Sequence, residues 1–63
     1  MEHYKQIIQR FEELGKLHHE LSELLELSPD PKHAESDLAL AEAEERSAKT
    51  CERVAASIRT RLK

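Results

Sequence analysis

The chain has 63 residues and a formal net charge of −3; 37% of its residues are charged and 38% hydrophobic, with one Phe, one Tyr and no Trp. A chain of this length buries only about 60% of its unfolded surface, and a single cysteine excludes an intrachain disulfide. At most one domain is therefore expected, stabilised by association with a second copy or a larger partner.

The first predicted element is a helix over about residues 2–27. Its apolar positions recur at alternating steps of three and four, as in a helix that packs along one seam against another helix. That seam is predicted to comprise Tyr4, Ile7, Phe11, Leu14, His18, Leu21 and Leu25. Ile8, Leu17 and Leu24 widen the apolar stripe beyond what one neighbouring helix covers, and Arg10 lies at its edge. Gly15, at the edge of the stripe, marks either a close helix approach or a tolerated neutral residue.

A turn is predicted at residues 28–31, Ser-Pro-Asp-Pro. Pro29 disfavours a helical conformation at Ser28 and so ends the first helix. Asp30 followed by Pro31 fits an N-cap acid and a proline at the first helical position. Helices joined by so short a connection lie antiparallel.

The second helix is predicted over about residues 31–62. Its seam is rich in small residues and comprises Ala34, Asp37, Ala41, Glu44, Ala48, Cys51, Ala55, Ile58 and Leu62. Large side chains of the first helix are expected to fill the space above these alanines, with Phe11 opposite Ala48 and Cys51. The sequence thus predicts an all-α fold, a two-helix antiparallel hairpin in a single domain over residues 1–63, completing a four-helix bundle by dimerisation.

His18 and Glu44 are the polar residues at the centres of the two predicted seams. The register brings them level, and a His–Glu hydrogen bond there would fix register and partner choice at some cost in stability. A second interpretation is a pH-sensitive contact, because histidine titrates near neutral pH.

Motifs for catalysis, cofactors or metals are absent from the sequence. His19 and Glu23 are one helical turn apart, as are His33 and Asp37, but two ligands do not close a metal site. Cys51 falls on the apolar seam, where a small buried thiol is ordinary. We therefore expect no enzyme, cofactor or metal. The chain has no long apolar run and no signal-peptide pattern, and its lone cysteine suits a reducing compartment, so a cytoplasmic protein is expected.

The sequence favours a non-enzymatic protein-interaction module that self-associates as a homodimer through the apolar face of the first helix. The residues expected at this interface are Tyr4, Ile7, Ile8, Phe11, Leu14, Leu17, His18, Leu21, Leu24 and Leu25. One alternative is an adaptor or co-chaperone that folds onto a larger protein, since the layout resembles small co-chaperones of secretion systems. A second alternative is a nucleic-acid-binding regulator that uses the basic end of the second helix. The negative net charge of the chain disfavours this alternative. Basic residues near a helix C-terminus are also explained by their interaction with the helix macrodipole.

Overall fold

Two helices account for nearly all of the chain in the computed structural model, which describes residues 2–27 and 30–62. Helix α1 spans Glu2–Glu26 and helix α2 spans Ala34–Arg59, followed by a 3-10 turn over Thr60–Leu62. The described residues include no strand. Contacts between the helices join the start of α1 to the end of α2, as in the pair Glu12–Arg59. The helices are therefore antiparallel, and the all-α hairpin predicted from the sequence is confirmed.

The beginning of α2 differs from the prediction. Residues 31–33 form a turn, and the helix begins at Ala34 rather than near Pro31. The Asp30 carboxylate accepts a hydrogen bond from the Lys32 backbone N–H (3.0 Å) and lies 2.6 Å from the His33 ring nitrogen Nδ1. The His33 N–H in turn donates to the Asp30 carbonyl at 3.1 Å. Asp30 thus caps an extra turn ahead of the helix; the predicted effect of Pro29 on Ser28 falls outside the described residues.

The contact between the helices is formed largely by small residues. On α2 the buried residues are Ala41, Ala48, Cys51, Ala55 and Ile58, all members of the predicted seam. On α1 they are Ile8, Gly15 and Ser22, spaced seven apart. Tyr4, Ile7, Phe11, His18 and Leu25 are half-buried beside them. The largest apolar cluster, at the open end of the hairpin, joins Ile8 to Ala55 and Ile58.

The prediction that Leu14 and Leu21 lie on the seam is wrong. Both are exposed, and the buried line of α1 is rotated by one position, so that Gly15 and Ser22 face α2 in their place. Small residues on both helices let the two backbones approach closely, and a leucine at either position would hold them apart. At the middle of the hairpin, Gly15 lies against Ala48 and Cys51. Phe11, predicted opposite those two residues, packs against the cluster of Ile8, Ala55 and Ile58.

Candidate interaction surface

Four leucines of α1 form an exposed stripe, which we call the leucine face: Leu14, Leu17, Leu21 and Leu24. Their exposed fractions are 42%, 56%, 47% and 65%, respectively. The steps between them are three, four and three residues, so they share one side of the helix over nearly three turns. This spacing is the one with which a helix packs against a facing helix, and in the described part of the hairpin about half of each leucine side chain remains exposed.

The sequence placed Ile8 on the surplus face together with Leu17 and Leu24. The structure buries Ile8 in the cluster with Ala55 and Ile58. Ile8 is seven residues before Gly15, so it belongs to the same line of contact with α2. The exposed apolar face of α1 is therefore the leucine face, without Ile8. Arg10 is seven residues before Leu17 and so lies on the same side of the helix.

Helix α2 adds apolar surface on the same side of the hairpin. Leu40 is exposed, and Val54, two heptads later on the same line, is half-buried against the Ile8 cluster. Polar contacts between the helices occupy the other side, where Glu45 and Arg59 of α2 meet α1. Because Leu40 and Val54 project from α2 opposite to Glu45, the hairpin has one apolar side and one charged side.

Within the described residues, three polar side-chain contacts cross between the helices, and two of them, His19–Glu45 and Glu12–Arg59, lie on the charged side. His18 Nδ1 contacts Glu44 Oε2, in the pairing that the sequence suggested, and both side chains are about one quarter exposed, at 25% and 30%. Arg59 pairs with Glu12 further along the helices. Whether the His18–Glu44 pair determines partner choice remains a prediction.

His19 makes the third contact and bridges two carboxylates. Its Nδ1 lies 3.0 Å from Glu45 Oε2 and its Nε2 lies 2.9 Å from Glu23 Oε1. A neutral imidazole donates from one nitrogen only, whereas the imidazolium donates from both. The hydrogen bond and charge of Glu45, followed by the charge of Glu23, raise the pKa of His19 above its ordinary 6.5. Sequence reasoning missed this bridge, since it considered only the central pair.

The other candidate chemistry of the sequence finds no assembled site. Within residues 2–27 and 30–62, no three His, Cys, Asp or Glu side chains gather in a geometry that would hold a metal ion. Cys51 is buried against Gly15. At the basic end of α2, Arg59 pairs with Glu12, and the Arg61 guanidinium carbon lies 5.6 Å from the centre of the Tyr4 ring. Neither helix, as far as the structure describes it, carries an apolar stretch long enough to cross a membrane.

No protein-family model, curated protein or solved structure matches this chain.

Proposed function

We propose that this chain is a small protein-interaction module that associates with a second copy of itself through the leucine face, giving a four-helix bundle. The observation that carries the proposal is the leucine face. Four leucines at heptad spacing are exposed on one side of α1, whereas Ile8, Gly15 and Ser22 are buried on the side that contacts α2. Two such faces are self-complementary, because each leucine fits between leucines of a facing helix.

The surface area of the hairpin supports a second copy as the occupant. The chain exposes 5060 Å². Size scaling for folded monomers gives about 4200 Å² for a protein of this mass, so the hairpin exposes roughly 900 Å² more than a monomer of its size. A standard protein–protein interface buries about 800 Å² on each partner. One copy of the chain therefore covers an area close to the excess.

The composition of the core supports the same proposal. Its buried apolar residues are Ile8, Ala41, Ala48, Cys51, Ala55 and Ile58, and none of the large side chains in residues 2–27 and 30–62 is fully buried. Eight of the nine leucines in the sequence are exposed. Full burial of an exposed leucine contributes about 1.5–3 kcal/mol. The leucines of the face are about half exposed, so covering them would add to the stabilisation that the small core supplies. Dimerisation makes that stabilisation available.

A matched pair of substitutions tests the proposal by light-scattering mass in solution. Leu17→Glu places a charge on the leucine face, whereas Leu38→Glu changes a leucine of similar exposure, 51% against 56%, on the charged side. We expect the wild-type chain and Leu38→Glu to be dimers and Leu17→Glu to be a monomer, because a buried unpaired carboxylate is costly. A wild-type chain that is monomeric at high concentration would overturn self-association, and a weakly helical monomer would favour an adaptor that folds onto a different protein.

A further inference from the structure

The hairpin is electrically polar along its length. Residues 20–45, which include the turn, carry nine acidic and one basic side chain, a net charge of −8. Residues 1–19 and 46–63 carry four acidic and nine basic side chains, a net charge of +5. His19 contacts Glu45, so the two points at which the charge reverses lie at the same level of the hairpin. The molecule therefore has an acidic turn end and a basic open end.

Arg10 brings this polarity onto the leucine face itself. It precedes Leu17 by seven residues and Leu24 by fourteen, so the three side chains project on the same side of α1. Its side chain is 80% exposed, and its guanidinium is 3.2 Å from Glu13 of the same helix. A second copy docked in the same direction would place Arg10 against Arg10 of the second copy, and like charges facing each other in an interface are destabilising.

We infer that the second copy docks antiparallel, so that the acidic turn end of each hairpin lies over the basic open end of the other. This orientation rests on the proposed self-association and specifies the geometry of that dimer. In the register with full overlap, Leu14 lies level with Leu17 of the second copy. Ile7 then meets Leu24 of the second copy, and every leucine of the face is covered.

The same register gives Arg10, which pairs with Glu13 of its own helix, a further partner on the second copy. It comes level with Glu20 and Leu21 of the second copy, so its charged group reaches an exposed carboxylate while its methylene stem covers a leucine. Over the whole hairpin, the basic open end of one copy then lies alongside the acidic turn end of the other. A same-direction dimer would instead set acidic segment against acidic segment, at separations within the Debye length of about 10 Å.

The orientation is measured with a spin label at one position. Cys51→Ala removes the native thiol and leaves a side chain that matches the neighbouring alanines, and Gln6→Cys supplies an exposed attachment site beside the leucine face. In the antiparallel register the two labels are separated by about 30 Å along the bundle. Side-by-side helices running in the same direction place them within roughly 20 Å, allowing for the label linkers. A pulsed-dipolar distance in the shorter range would overturn the inference.

A charge exchange provides a second, independent measurement. Arg10→Glu is expected to weaken the dimer at least about tenfold, because the introduced carboxylate would face Glu20 of the second copy. Adding Glu20→Arg restores attraction at the same contact and should return the dissociation constant to within about threefold of wild type. Lys5→Glu, which changes the net charge equally but lies off the leucine face, is the matched control and should have the smaller effect.

The outcomes distinguish the orientation from the association itself. A chain that is monomeric by light scattering contradicts both proposals. A dimer with the short label distance, or one that the double exchange fails to restore, contradicts the antiparallel orientation alone. A dimer with the long distance and with affinity recovered by the double exchange supports both, and its dissociation constant should rise with salt concentration, since the attraction between the two ends is screened.

Discussion

Gly15 lies directly against helix α2. A Cβ built at this position would be 3.4 Å from Cys51 Cβ and 3.6 Å from the carbonyl oxygen of Ala48, both ordinary van der Waals separations. One methyl group therefore fits between the helices, and a larger side chain meets the backbone of α2. Glycine at this position also lowers the stability of α1, because glycine within a helix costs about 1 kcal/mol relative to alanine.

These distances predict opposite effects for two substitutions at this position. Gly15→Ala should stabilise the fold by up to about 1 kcal/mol, because the chain gains helix propensity and the methyl group fits. Gly15→Leu should destabilise it by about 1–3 kcal/mol, since the side chain must displace Cys51 or separate the helices. Thermal unfolding followed by far-UV circular dichroism measures both at one chain concentration. A melting temperature lowered by Gly15→Ala would show that the helices approach more closely than these two distances indicate.

Between the two helices, the His19 bridge makes the pairing of α1 with α2 depend on pH. The facing groups are Glu45 from α2 and Glu23 from α1 itself. Since the pKa of His19 is raised in the folded chain above its unfolded value of 6.5, folding favours the protonated form. The resulting stabilisation is fully present below pH 6.5 and is lost as the pH rises through the folded-state pKa.

We therefore expect the melting temperature to fall as the pH rises above about 6.5, where the carboxylates remain ionised. His19→Gln provides the control, because it retains a hydrogen-bonding side chain without a titratable group. It should flatten the part of the pH profile that His19 contributes and leave the remainder unchanged. If the wild-type and His19→Gln profiles coincide, the bridge to Glu45 and Glu23 does not form in solution.

The existence, length and direction of the two helices could be predicted from the sequence, because apolar spacing and a proline-rich turn are local signals. The start of α2 was misplaced because the Asp30 carboxylate can cap either a helix beginning at Pro31 or the turn that is observed, and the sequence does not distinguish them. The rotation of α1 was not predictable from hydrophobicity. Large apolar side chains are the ones expected in a core, so a prediction from hydrophobicity places Leu14 and Leu21 there. The hairpin instead buries Gly15 and Ser22 and leaves both leucines exposed.

At the scale of the whole molecule, the rotation of α1 determines which apolar side chains the hairpin leaves exposed. A hairpin about 49 Å long and 10–13 Å across has little interior. Because many of the residues between α1 and α2 are small, their contact buries little apolar surface. Four leucines that would ordinarily supply the core, those of the leucine face, lie together on one outer side. In the proposed dimer, the free energy of unfolding would be divided between a small contact within the chain and a larger one between chains.

This division predicts that thermal stability depends on chain concentration. For a dimer that unfolds to separate chains, raising the concentration about a hundredfold should raise the melting temperature by roughly 5–10 °C. Leu17→Glu should lower the melting temperature and abolish the dependence, because folding of the monomer involves no second chain. Leu38→Glu should keep the dependence, since it lies outside the leucine face. Circular dichroism over that concentration range measures the effect, and a wild-type melting temperature that stays constant would mean that the alanine contact stabilises the hairpin without help from the leucine face.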